Sequence, residues 1–251
     1  SFPTRRSSDL NMAANQFVTN FRTAVNPQIV KRYAVHDYDG SKRLLLASTK
    51  YSYCLSLLIC LPILLLTESL LRFWLGTFPD YTIAFVQIVT VQSLFQVFDT
   101  SFYTALYAKG SLRENALLSP TLGFLQFPLI YLLFKLGYSP IVLSWSNLLI
   151  CMFLALFIKP FLLVRIVGYD WCDIGLVFKS CLRVTIVALL LPLLLRWCVD
   201  VTCLDFWGSL GYLILIILSV FTSVFYVGID KEIREKVISY IKNKILKCKT
   251  I

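Results

Sequence analysis

Two polar stripes interrupt long apolar stretches of this chain, and they hold the side chains best suited to chemistry. Asn15, Thr19, Arg22 and Asn26 recur at i, i+4, i+7 and i+11, which sets them on one helical face widened by Gln16, Asn20 and Thr23. Phe17, Phe21 and Val25 point elsewhere. An arginine near the middle of a membrane span costs roughly 2.5 to 3.5 kcal/mol on insertion scales, so it is expected to face a bundle interior or a water-filled cavity. A guanidinium grips phosphate oxygens bidentately, which makes Arg22, with Asn15, Thr19 and Asn26, the expected contact for a phosphate-bearing substrate. The alternative is an interfacial or re-entrant helix from which Arg22 snorkels to water.

Gln92, Gln96, Asp99 and Tyr103 repeat the same spacing on a second helix, so Asp99 is expected to look into the bundle. Three roles stay open for it: pairing with Arg22, exchange of a proton or sodium ion during transport, or structural hydrogen bonding. Gln92, Gln96 and, on a later apolar segment, Asn147 are further candidate substrate contacts. Glu114, beside Asn115, is expected to favour a helix start.

The elements that must position these residues follow from composition. The hydrophobic fraction is 58%, and the apolar residues form continuous runs of Leu, Ile, Val and Phe, which exclude a soluble core and the alternating pattern of a strand barrel. A bilayer core needs about 20 mostly apolar residues per helix. Seven stretches are expected spans: Met12 to Ile29, Leu44 to Leu66, Ile83 to Ala108, Leu117 to Leu136, Ile141 to Phe161, Val184 to Val199, and Phe206 to Val227. The expected fold is therefore all-α, a polytopic membrane helix bundle. Pro62, Pro120, Pro128 and Pro192 inside the spans are tolerable in a bundle, where neighbours satisfy the freed carbonyls.

Orientation is read from basic residues in the connections. Lys31, Arg32, Lys42 and Arg43 follow the first span, Lys109 and Arg113 the third, and Lys159, Arg165, Lys179 and Arg183 the fifth, while seven more lie after Asp230. These define the cytoplasmic side. The intervening connections carry only Arg72, Lys135 and Arg196, so the bias alternates at every crossing and the carboxyl terminus is expected inside. The net charge of +10 is thus spent on topology, and no nucleic-acid partner is expected. The connection after the second span carries Arg72, Trp74, Phe78 and Tyr81, which suit headgroup depth. Residues 229–251 read as a basic amphipathic tail for the anionic cytoplasmic leaflet.

Neither cofactor nor metal is expected. His36 with Asp37 and Asp39 reads as a solvated turn, and Cys54, Cys60, Cys151 and Cys181 lie in or beside apolar runs as small hydrophobes. Cys198 and Cys203 flank a short outer loop where a disulfide is sterically conceivable. Ser1 to Leu10, SFPTRRSSDL, resembles a translated sequencing adapter, so these residues are expected to lie outside the natural fold and the natural chain to continue upstream.

The segments NQFVTNFRTAVNPQIVKRYAVHD, LPILLLTESLLRFWLGTFPDYT, TALYAKGSLREN and FPLIYLLFKLGYSP together resemble Bacteroides-type polysaccharide flippases of the multidrug, oligosaccharidyl-lipid and polysaccharide exporter superfamily. The resemblance covers about Asn11 to Gly168. It implies that Pro27 to Lys31 ends the eighth of fourteen helices and that Trp74 to Tyr81 follows the ninth. Residues 11–168 would then be part of the second transporter lobe, and 169–228 two additional carboxyl-terminal helices. The implied activity is flipping of an undecaprenyl-diphosphate-linked oligosaccharide across the bacterial inner membrane by alternating access, without covalent chemistry. Membrane lipids and a proton or sodium ion are the other implied partners.

Two alternatives stand beside this expectation. An ion-coupled multidrug exporter of the same superfamily would have a neutral or acidic cavity, against which Arg22 argues. A polytopic O-antigen polymerase or ligase would need a large outer loop, whereas every expected outer connection is short.

Overall fold

The computed structural model describes residues 3–198, 206–229 and 234–235, without the side chains of residues 3–15, 196–198, 206, 207 and 209. Among the described residues there are helices and no strand. Helix α1 runs Pro3–Ala34, α2 Tyr38–Leu65, the short α3 Thr67–Leu75, α4 Thr82–Lys109 and α5 Arg113–Lys135. A rod follows in four pieces: α6 (Val142–Phe153), a π turn (Leu154–Ile158), α7 (Lys159–Leu162) and a second π turn (Leu163–Val167). Then come α8 (Trp171–Cys198) and α9 (Phe206–Ser223), the latter continued by a π turn at Val224–Gly228.

Six of these helical segments among the described residues are long and apolar enough to cross a bilayer: Tyr38–Leu65, Thr82–Lys109, Arg113–Lys135, Val142–Val167, Trp171–Leu195 and Leu210–Gly228. The chain is an all-α polytopic membrane bundle. α1 has the length to cross, with 32 residues, but its polar stripe keeps it out of that set, so the expected seventh span is not among them. Three boundaries also move. The rod continues past Phe161 to Val167, α8 begins at Trp171 rather than Val184, and the connection at 67–75 is helical. In the first two cases the added turns are themselves largely apolar and carry scattered charges, Arg165 in one and Asp173, Lys179 and Arg183 in the other, while Thr67–Leu75 is a separate short helix. Of the expected amphipathic tail, all but Ile229, Arg234 and Glu235 falls outside the described residues, as does Cys203; the Cys198 side chain is not described either.

The core is built where α1, α2 and α4 pack on one another and where α2 also meets α8 and α9. Small hydroxylated residues make the close approach possible. Ser48, Ser52 and Ser56 follow one another every fourth residue along α2 and are all buried, as are Thr90, Ser93, Ser101 and Thr104 on α4. Their hydroxyls are satisfied locally where the structure gives them partners, as when Thr49 donates to the Leu45 carbonyl at 2.8 Å and Thr90 to the Val86 carbonyl at 2.7 Å. Above this seam, Tyr53 of α2, Phe98 and Phe102 of α4 and Phe178 of α8 form an aromatic cluster, with ring centroids 5.1 Å apart for Tyr53–Phe98 and 4.8 Å for Phe98–Phe178.

The α8/α9 contact answers a specific problem. Pro192 has no N–H, so the Ala188 carbonyl one turn earlier loses its helical donor. Ser219 of α9 donates its hydroxyl to that carbonyl at 3.0 Å, and Tyr212 donates to the Pro192 carbonyl at 2.8 Å. At the far end of α9, a Cβ on Gly228 would stand 3.4 Å from both Cys54 Sγ and Val184 Cγ2. Those are ordinary van der Waals distances, and they show how closely the end of α9 approaches α2 and α8.

Candidate functional site

The α1 stripe meets α4. The Arg22 guanidinium, partly buried, donates through Nη2 to the Thr100 carbonyl and to Thr104 Oγ1, the latter at 3.2 Å. Thr104 in turn donates to the Thr100 carbonyl at 3.4 Å. Beside these contacts lies a recess of about 120 Å³ lined by Thr19, Arg22, Ser93, Gln96 and Thr100, with Val18 and Val97 as its apolar wall. A guanidinium has five N–H donors in a planar fork, so one nitrogen can hold α4 while the others serve the recess.

Pairing with Arg22 was one of three roles open to Asp99. Its carboxylate instead forms an ion pair with Lys159 of α7, Oδ1 to Nζ at 3.0 Å, while the hydrogen bonds of Arg22 go to Thr100 and Thr104 on the same helix. Lys159 is 2% exposed. It donates to Asn115 Oδ1 of α5, which also accepts from Ser119 at 3.2 Å, and its ammonium sits 5.5 Å from the centre of the Tyr103 ring. Charged and polar groups from four elements therefore converge: Arg22 from α1, Asp99 and Tyr103 from α4, Asn115 from α5 and Lys159 from α7. Lys159 takes the one carboxylate of this set, which leaves the charge of Arg22 without one of its own.

The chain folds this way around Lys159 for a local reason. Pro160 cannot donate to the Leu156 carbonyl, and the register widens ahead of it, so that the Lys159 N–H bonds back to Leu154. A second π turn ends at Gly168, whose φ of +86° closes the rod in a conformation costly for any residue with a Cβ. Single π turns often mark functional positions in helices; here two of them bracket the buried lysine.

Of the anticipated residues, Thr19, Arg22 and Gln96 come together in the recess, and Asp99 adjoins it in sequence on α4. Gln92 is half-buried one turn away, its carbonyl accepting from Cys151 at 3.8 Å. Asn26 is half-buried on α1 and does not line the recess. Asn15 lies in α1, with its side chain outside the described residues. Asn147 is exposed on α6 and accepts from Gln126 of α5 at 2.6 Å, which makes it an α5–α6 link instead of a recess residue. Lys159 was the omission. Its signal was present, a lysine beside proline within an apolar run, but it had been assigned to the cytoplasmic connection. His36 sits in an exposed turn at φ 63° with Nδ1 2.7 Å from the Tyr38 hydroxyl, and among the described residues no three His, Cys, Asp or Glu side chains are grouped to hold a metal.

What the fold defines is a class, a multi-pass α-helical membrane protein. No family model, no curated protein and no solved structure matches the chain.

Proposed function

We propose that this chain forms the carboxyl-terminal part of a flippase that moves a lipid-linked oligosaccharide, carried on undecaprenyl diphosphate, across the bacterial inner membrane by alternating access, with its carboxyl terminus in the cytoplasm. The observation that carries the reading is the Arg22 recess between α1 and α4, set beside the Lys159–Asp99 ion pair, which leaves the charge of Arg22 without a carboxylate of its own. A diphosphate needs cationic, multi-donor contacts away from bulk water, and a guanidinium flanked by Thr19, Ser93, Gln96 and Thr100 supplies them. The π turns around Lys159 suit a rod that shifts register as the bundle rocks.

A second reading, an ion-coupled multidrug exporter, draws on Asp99. A carboxylate held by one buried lysine can trade that partner for a proton or sodium ion.

The test uses the intact protein in a strain lacking its flippase. Arg22→Ala should lower surface polysaccharide about tenfold or more, the order expected for a lost charge-assisted contact, while Arg22→Lys retains part of it. Full export by correctly inserted Arg22→Ala would remove the recess from the pathway. Failure of the intact wild type to restore polysaccharide, together with Asp99-dependent drug efflux, would favour the exporter.

A further inference from the structure

A second cationic site lies apart from the Arg22 recess. Where α2 and α8 run side by side, they enclose a slot of about 430 Å³ lined by Arg43 and Lys50 from α2 and by Lys179 and Arg183 from α8, with Leu46 and Leu176 among its apolar walls. Arg43 and Lys50 are seven residues apart, and so are Leu176 and Arg183, so each pair lies along one helical face. Among the described residues that line the slot, none is acidic. The carboxylates nearest the start of α8 are already engaged, since Lys42 holds Asp170 at 2.8 Å and Asp173 at 2.6 Å. That clamp ties the start of α2 to the start of α8. Further along the same two helices, the Tyr53 and Thr185 hydroxyls are hydrogen-bonded at 2.8 Å.

The two ties also set the register. α2 and α8 run parallel, and the slot lies in the first half of both helices, at the end marked by Lys42 and Asp170. Beside Arg183 and beyond it, α8 exposes apolar side chains: Leu182 is 61% exposed, Ile186 56% and Leu190 56%, spaced every fourth residue. The cationic slot thus adjoins an apolar track that begins next to Arg183.

We propose that the α2/α8 slot binds the headgroup of an anionic phospholipid, its phosphate between Arg43, Lys179 and Arg183 and one acyl chain along Leu182, Ile186 and Leu190. Basic pockets between membrane helices recognise such headgroups by charge, and guanidiniums match phosphate oxygens bidentately. The apolar continuation selects a lipid over free phosphate, because a soluble anion would gain nothing from Leu182 or Ile186. The bound lipid would tie α2 to α8 and so join the core helices to the α8/α9 pair. This site shares no residue with the Arg22 recess and stands whether or not the flippase reading does.

The test is lipid retention by the full-length protein, measured by native mass spectrometry from mixed micelles of phosphatidylglycerol and phosphatidylcholine. The wild type should retain phosphatidylglycerol preferentially. The preference should fall roughly fivefold for each charge removed in Arg43→Gln, Lys179→Gln and Arg183→Gln, and persist in a charge-matched variant carrying Arg113→Gln, Lys135→Gln and Arg165→Gln. Equal retention of both lipids by the wild type, or an undiminished preference in the slot variant, overturns the proposal. So does displacement of phosphatidylglycerol by millimolar pyrophosphate with no dependence on acyl chain length, which would assign the slot to a free phosphate. A photoactivatable phosphatidylglycerol on the wild-type protein gives a readout independent of variant folding. Labelling should fall between Leu176 and Leu190, and labelling spread evenly over the exposed helices refutes the site.

Discussion

α2 and α5 have the same mean hydropathy over their apolar windows, 1.6, yet 56% of the α2 window is buried within the protein against 6% of the α5 window. Hydropathy makes both fit for a membrane and says nothing about where in the bundle each belongs. The difference lies in what interrupts the apolar residues. α2 carries buried serines every fourth residue, side chains small enough to let neighbouring helices approach its backbone. α5 presents Leu117, Phe124, Leu125, Phe127, Tyr131 and Leu132 as exposed side chains, a surface suited to lipid, and Asn115 is its only buried residue among those described. One helix is held by a seam, and the other by a polar anchor at its first turn.

The largest effect expected from breaking this contrast is at the anchor. Asp99→Ala leaves Lys159 buried with only a neutral hydrogen-bond partner and should cost about 3–5 kcal/mol, read as a fall in melting temperature of the detergent-solubilised protein. Adding Lys159→Met should recover most of that loss. If the double variant is no better than Asp99→Ala, the ion pair is not what stabilises this region. Next comes the seam. Ser52→Leu in α2 should cost about 1–3 kcal/mol by overpacking, whereas Gly123→Leu in α5, where an added Cβ meets nothing within 4 Å, should leave melting unchanged. Equal effects at the two positions would erase the distinction between the helices.

A smaller effect sharpens the rule that polar links replace hydrophobic driving force within lipid. Ser219→Ala uncovers the carbonyl freed by Pro192 and should cost about 0.6 kcal/mol, with about 1.7 as the upper end for such bonds; Ser219→Ala combined with Pro192→Ala should cost less than the serine change alone. The smallest effect concerns the clamp at the start of α2. The hydrogen bond from Lys42 holds the Asp170 carboxyl below its ordinary range. A depressed folded-state value means that the contribution is present at neutral pH and is lost as pH falls through the acidic range. Wild type and Asp170→Asn should therefore differ slightly in melting temperature at pH 7, and the difference should shrink as pH falls below the ordinary carboxylate range. The side chain is 72% exposed, and salt should shrink the difference.

Much of this fold is legible in the sequence, because lipid imposes a simple rule of about 20 apolar residues per crossing. Five of the expected spans recur within a few residues of their helices or inside them, and the sixth sits within α8, which starts several turns earlier, at Trp171. α1 resists the rule because its polar face competes with its length. The recess is legible through helical spacing, which brought Thr19, Arg22 and Gln96 to one place. Lys159 and Lys50 were hidden for the opposite reason. Counting basic residues assigns the first to a connection and passes over the second, and only the packing of α7 against α4 and of α2 against α8 reveals what surrounds them. Asn147 accepts from Gln126 of α5, a neighbour that spacing within one helix could not reveal.

The π turns around Lys159 have a consequence for how this chain tolerates changes in length. Each holds about one residue more than an α-helical turn, and a residue corresponds to about 100° of rotation. Deleting Leu156 would remove the surplus residue and convert the first π turn to an ordinary one, leaving the segments before and after it close to their present rotation, so that Lys159 would still face Asp99. The same deletion in α5, a regular helix with no surplus residue, would rotate everything after it by about 100°. The rod thus carries an allowance for a change in length beside its buried charge, while α5 escapes harm only because one lipid-compatible surface would replace another.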